Sequence, residues 1–207
     1  MKGSHSLLFL VLALQTVWSQ KTLSKVLEDP SLTQIHVLAA QVNTLGLKPS
    51  PSKELLVTAR LNGEYSPHQM IVFSRKGNTL FIGPDLSATF ELPNDKLSAH
   101  KIWSIDLAVE IRAYLEIYIE GGNTQINAEG IFEKLQIALK DGLCVLEEVG
   151  NIVQVNTLRA PIVLRQTKGV IDAKTTYGHV DFLAIPSGDS KIVLRSLHGD
   201  IKVLTKD

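Results

Sequence analysis

The chain has a single cysteine, Cys144, so no internal disulfide can form and a disulfide scaffold is excluded. Neither sign of charge is in excess, because 21 basic residues balance 21 acidic ones. That balance removes the electrostatic case for nucleic acid or an anionic membrane as partner. No apolar run approaches the roughly 20 residues needed to span a bilayer. No Asn-x-Ser/Thr acceptor occurs, so N-glycosylation is not expected. P-loop, Gly-x-Gly-x-x-Gly, Gly-x-Ser-x-Gly, His-Glu-x-x-His and paired Cys-x-x-Cys motifs are all missing. What is present is an ordinary apolar content of 44% over 207 residues, enough for one domain with a sizeable core, or one domain and a smaller partner.

The first residues read as an address. Lys2 precedes the apolar run Leu7 to Leu14, and Val17 and Ser19 follow two apart, as small residues do before a signal-peptidase cut. Residues 1–19 are therefore expected to be a secretory signal peptide, leaving a product with no stable membrane span. The alternative is an intracellular or mitochondrial protein. A transit peptide wants arginine, and none occurs before Arg60.

A recurrence of nine residues organises the second half. Ile117, Ile126, Leu135, Cys144, Val153, Ile162, Ile171 and Val180 form one ladder, continued after a slip of three residues by Ile192 and Ile201. Two residues after each comes a second ladder: Ile119, Ala128, Ile137, Leu146, Val155, Leu164, Ala173, Phe182, Leu194 and Val203. Both ladders are wholly apolar. Two residues before them stands a mostly small or turn-prone set that includes Thr124, Gly142, Asn151, Ala160, Gly169, Gly178, Ser190 and Gly199. A spacing of two puts side chains on one face of a strand, so each unit is a corner and an inward-pointing pair. A fixed repeat of that kind implies stacked β layers, two units giving coils of about 18 residues and three giving about 27. Outward positions are polar, among them Glu120, Glu129, Glu147, Asn156, Arg165, Lys174 and Arg195.

The segment 20–112 is less regular and is expected to be a β segment or cap. Residues 20–29 have the polarity of a short helix ending at Pro30. Strands are expected over 33–44, 54–61 and 86–92, with a loop over 47–52 and a hairpin around Lys76-Gly77-Asn78. The alternating run Trp103 to Ile119 is too long for one straight strand and should bend near Ala113. Residues 131–140 fit both a strand and a helix; Leu135 and Ile137 hold the ladder register and favour strand. The last strand, 200–207, has no cap after it in the sequence, so the expectation is that the first half folds back as a cap, that the open sheet edge serves self-association, or that the chain is a shortened version of a longer one.

Gly169 to Gly178, then His179-Val-Asp-Phe182, then Leu197-His-Gly-Asp-Ile-Lys-Val203 resemble the adhesin-like β-repeat family. Its members repeat Gly-(Asp/Asn)-Ile/Val-x-Val/Ala-x-Thr-x-x-Gly, and an animal branch of the family is similar. The resemblance covers residues 113–207. It implies an all-β fold, a parallel right-handed β-solenoid, with a β-sandwich as the alternative. It implies no catalytic residue.

The residues themselves point to no cofactor, metal or catalytic set. The six histidines, His5, His36, His68, His100, His179 and His198, lack ligand spacing. Gly121-Gly122-Asn123 lacks the continuation of a calcium-binding repeat. Asp172, Asp181, Asp189 and Asp200 are the acids best placed for glycoside cleavage, but coils of two units would put Asp172 and Asp181 on opposite faces, and Asp189 and Asp200 fall at corners. Cys144 lies on an inward ladder and reads as a buried thiol. A secreted or surface-associated, non-enzymatic β-repeat protein that binds a protein, a glycan or itself is the expectation. The alternative is a carbohydrate-active enzyme.

Overall fold

The computed structural model describes residues 21–52, 54–63, 68–87, 103–112 and 114–206. The expected signal peptide, and the strand expected over 86–92 beyond Ser87, lie outside these residues. All regular structure among them is β. The strands are β1 (Lys21–Leu27), β2 (Gln34–Ala39), β3 (Thr44–Pro49), β4 (Leu55–Gly63), β5 (Gln69–Lys76), β6 (Thr79–Leu86), β7 (Trp103–Ile111), β8 (Glu116–Thr157), β9 (Ile162–Arg165), β10 (Val170–Thr175), β11 (Val180–Phe182), β12 (Lys191–Ser196) and β13 (Ile201–Leu204). They form one mixed sheet that does not close on itself.

β8 is one extended segment that runs through several corners, so it supplies strands to two ladders. In the first ladder the neighbours run β5, β6, β2, β8, β12, β10; in the second they run β1, β4, β7, β3, β8, β9, β13, β11. Parallel pairing joins Ile35 to Ile117, Leu45 to Ile126 and Cys144 to Ile162. Within β8 the layer step is 18 residues: Gln136 donates to Gln154 at 3.0 Å across that interval. Each layer therefore holds two of the nine-residue units. The inward pairs meet in the interior, and Ile117, Ile126, Leu135, Cys144, Val153 and Ile162 are all buried. Residues 131–140 are strand, with Leu135 and Ile137 inside and Phe132 the largest fully buried side chain.

The layers do not stack in chain order. Val153 pairs with Ile192, not with Ile171, and Ile171 pairs with Ile192 from the other side. Ile201 likewise sits between Ile162 and Val180. The layer 191–204 is thus inserted between layers 152–165 and 170–182. The edge expected at the C-terminal strand is instead formed by β10 and β11. Sixteen of the twenty ladder residues are buried, and the other four, Ile171, Ala173, Val180 and Phe182, all belong to that end layer.

A column of hydroxyls follows the same order. Thr157 donates to Ala160 O at 2.7 Å, and the Ser196 hydroxyl lies 2.8 Å from it. Ser196 accepts the Gly199 N–H at 2.8 Å, and Thr175 donates to Gly199 O at 3.0 Å. These Thr/Ser-x-x-Gly/Ala corners each satisfy backbone groups that the turning chain leaves unpaired. Glycine is needed where corners stack. At Gly142, with φ 100°, an added Cβ would stand 2.1 Å from Thr124 O; at Gly199 it would stand 2.2 Å from Ala160 O.

The first half adds layers to the opposite end. β2 and β3 lie on β8, then β6 and β7 follow in parallel, and β5, β4 and β1 close the stack antiparallel. Of the helix expected over 20–29, the described residues 21–29 are not helical: β1 pairs along its length with β4, and Leu23 and Leu27 pack on the core. Tertiary pairing overrides a weak local propensity there. The loop expected over 47–52 is partly strand, because β3 continues to Pro49 against β7. The expected strand 33–44 is broken at Ala40, where the chain turns into β3. The hairpin at Gly77 and the break between β7 and β8, with Tyr114 at φ 66°, fall where the sequence places them.

Two measurements check this order. A Thr157→Cys/Ser196→Cys pair should oxidise to a disulfide that peptide mass spectrometry identifies; recovery of a Thr157→Cys/Thr175→Cys bridge instead would restore chain-order stacking. Gly142→Ala should lower unfolding stability by at least about 3 kcal/mol in urea titration, since it adds a clash to backbone strain.

Candidate interaction surface

A concavity on the outer side of the second ladder crosses β7, β3, β8 and β9. It has a volume of about 380 Å³ and a floor of small residues, Gly46, Ala108, Asn127 and Val145. These stand at the outward position between the two inward residues of successive layers, as Gly46 does between Leu45 and Leu47. Short side chains at one position in neighbouring strands sink the surface there. The rim is charged: Lys48, Glu129, Glu147 and Arg165. Lys48 Nζ lies 3.2 Å from Glu110 Oε1, and Arg165 Nη1 donates to Glu147 Oε1 at 3.3 Å, one layer below.

The outer side of the first ladder is different. Phe81, His36 and Tyr118 stack across β6, β2 and β8, with ring centroids 4.9 and 4.6 Å apart. Lys134 Nζ sits 5.5 Å from the Tyr118 ring. Glu116 accepts from both the Tyr118 hydroxyl and Gln34 Nε2, and that carboxylate raises the Tyr118 pKa. His36 and Tyr118 lie at an interplanar angle of 26°, so each covers the other's face. The column therefore braces the sheet and offers no flat platform to a ligand.

The acids singled out in the sequence do not converge. Asp172 is on β10 and Asp181 on β11, in different ladders. Asp172 pairs with Arg195, which together with Lys174 holds its carboxyl below the usual range. Asp200 accepts the His179 N–H at 2.8 Å, the turn chemistry expected of it. Arg159, bonded to Asp141, likewise depresses that carboxyl. The two acids that do share a concavity are Glu129 and Glu147, in successive layers of β8, and Glu147 is already ion-paired. Among the described residues no three His, Cys, Asp or Glu side chains are grouped to hold a metal. No helix among them is long and apolar enough to cross a membrane.

The groove floor escaped the sequence reading because Gly46 and Ala108 carry no chemistry of their own. A signal existed: Ile35 and Val37, then Leu45 and Leu47, repeat the inward pair ten residues apart and extend the ladders into the first half.

Comparison with known proteins agrees with the fold. No protein-family model matches the chain, and no curated protein does. A solved structure of a "putative cell adhesion protein" from Clostridium sporogenes matches with a TM-score of 0.64 at 14% identity, over 91% of this chain and all of that one. A "putative adhesin" from Bacteroides fragilis matches with a TM-score of 0.37 at 12% identity, over 91% of this chain and 98% of that one. The first of these shows that the chain shares its fold.

Cys144 is fully buried, and burial pushes its thiol from 9.0 up to about 12. The thiolate is the reactive form, so Cys144 should resist alkylation in the folded protein and react once urea unfolds it. The unfolded thiol ionises near 9.0 while the folded one holds its proton to about 12. The Cys144 contribution is thus complete below pH 9 and lost as pH rises through that window. A Cys144→Ala variant, compared by urea titration across that range, should lack this component of the decline.

Proposed function

We propose that this is a secreted or surface-associated binding module without catalytic activity, which engages a protein or glycan on the outer groove over β7, β3, β8 and β9. The observation that carries the reading is the groove itself: a floor without long side chains, bounded by charges of both signs. Such a surface gives orientation through Lys48, Glu129, Glu147 and Arg165 while leaving room for a chain-like ligand. The registers of 18 residues support a parallel β-solenoid, right-handed as the family resemblance implies, with antiparallel strands at one end. A β-sandwich would also set two ladders against each other, but the unbroken course of β8 through both favours winding. The fold shared with a protein described as a "putative cell adhesion protein" supports an extracellular setting.

One observation favours a second reading. Glu129 and Glu147 project from strands one layer apart, about 5 Å in a β ladder, and paired carboxylates are what glycoside cleavage uses. The Arg165 ion pair engages one of them, which is why binding is preferred.

The experiment is an array of extracellular glycans and matrix proteins probed with the protein and with Ala108→Arg, which fills the floor. Saturable binding that weakens at least about tenfold in the variant is expected. Binding that Ala108→Arg leaves unchanged would overturn the groove. Release of reducing ends that Glu129→Gln abolishes would establish the enzyme instead. Mass spectrometry of the secreted chain should find an N-terminus at Gln20; an intact Met1 inside cells would reject export.

A further inference from the structure

Among the described residues the end layer formed by β10 and β11 has no partner on one side, and its shape and charge select what completes it. We propose that a second copy of this chain pairs there, β10 against β10 antiparallel across a two-fold axis at Ala173.

Three observations lead to this occupant. First, the free backbone groups are in the right phase. Val170 N–H bonds Ser190 O at 2.8 Å and Thr176 N–H bonds Ser196 O at 3.1 Å, so the even-numbered residues face β12. By alternation Ile171, Ala173 and Thr175 direct both N–H and C=O to the open side. A two-fold at Ala173 sets Ala173 against its own copy and Ile171 against Thr175. In an antiparallel ladder these are the mutually bonded pairs, so every free group in the register finds a partner.

Second, the charges are self-complementary in this register alone. Asp172 and Lys174 point outward from β10, and the two-fold at Ala173 places Asp172 opposite Lys174 of the other copy, twice. A two-fold at Ile171 would oppose Lys174 to Lys168, and one at Thr175 would leave Asp172 opposite Gly178. Asp172 already accepts from Arg195 but stays 64% exposed on its side chain, leaving an oxygen edge for the incoming ammonium.

Third, the interior is unfinished here. Ile171, Ala173 and Val180 are only half-buried and Phe182 is 47% exposed, although all four belong to ladders buried in every other layer. Leu183 N–H bonds Val203 O at 3.0 Å, so Val180 and Phe182 on β11 also turn their backbone groups outward. A copy related by a two-fold continues both ladders and then closes, because the same edge of each copy is used up in the contact.

This inference uses a different surface from the groove and stands or falls separately. The test is light-scattering mass, at high and low concentration, of protein purified from cells expressing the full-length sequence. The wild type should reach a two-chain mass. Lys174→Asp should weaken association about tenfold by placing like charges opposite each other. Asp172→Lys should do the same, and an equimolar mixture of the two variants, or the double swap in one chain, should restore it. Ala173→Pro removes an N–H that faces away from β12, so it should leave a folded monomer by circular dichroism. A wild type that stays monomeric, or a dimer that both single variants leave intact, would overturn the proposal. If Ala108→Arg abolishes target binding in either case, the groove reading survives on its own.

Discussion

Everything in this fold depends on parallel register between layers that bury the same two side chains. A layer has too little core of its own: its two inward pairs meet each other and the pairs of the adjacent layers, and its strand backbone groups bond to those layers. Val153, Ile162, Ile192 and Ile201 are buried because each has a layer on both sides. Ile171 and Val180 are the same kinds of residue in the same positions, and they are half-exposed because one side is missing.

That dependence explains why the layer 191–204 takes the inner place. Its inward set is Ile192, Leu194, Ile201 and Val203, whereas the end layer presents Ile171, Ala173, Val180 and Phe182. Placing the uniformly branched set inside buries more apolar surface on both of its sides, and Ala173 is the side chain that loses least at an end. The hydroxyl column agrees, since Ser196 bridges Thr157 and the corner that Thr175 also serves. The three extra residues before Ile192 supply the length by which the chain passes the end layer and returns beneath it.

The two ends are managed differently. At one, β4, β1 and β5 reverse direction and terminate the parallel run. At the other, an edge with alternating Asp172 and Lys174 is exposed. Charges on an edge strand discourage indiscriminate pairing while permitting one complementary register. The outer groove draws on both halves of the chain, with Gly46 and Ala108 from the first and Asn127, Val145 and Arg165 from the second. A concavity of this kind exists only once the first-half strands have joined the stack.

The all-β class, the inward ladders and the corner glycines were legible in the residues. A period of nine with pairs two apart admits little else, and a Cβ at Gly142 would strike backbone. The strand over 131–140 was legible from Leu135 and Ile137 for the same reason. The order of layers was not, because every layer presents nearly the same apolar pair and local pattern cannot rank interchangeable partners. β1 was also hidden, since a short polar segment becomes a strand only when β4 offers it an edge. The groove lay in small residues whose meaning comes from neighbours far away in the chain. Periodicity is local and is written in one dimension; which equivalent surfaces meet is a competition over buried area, and only the assembled molecule decides it.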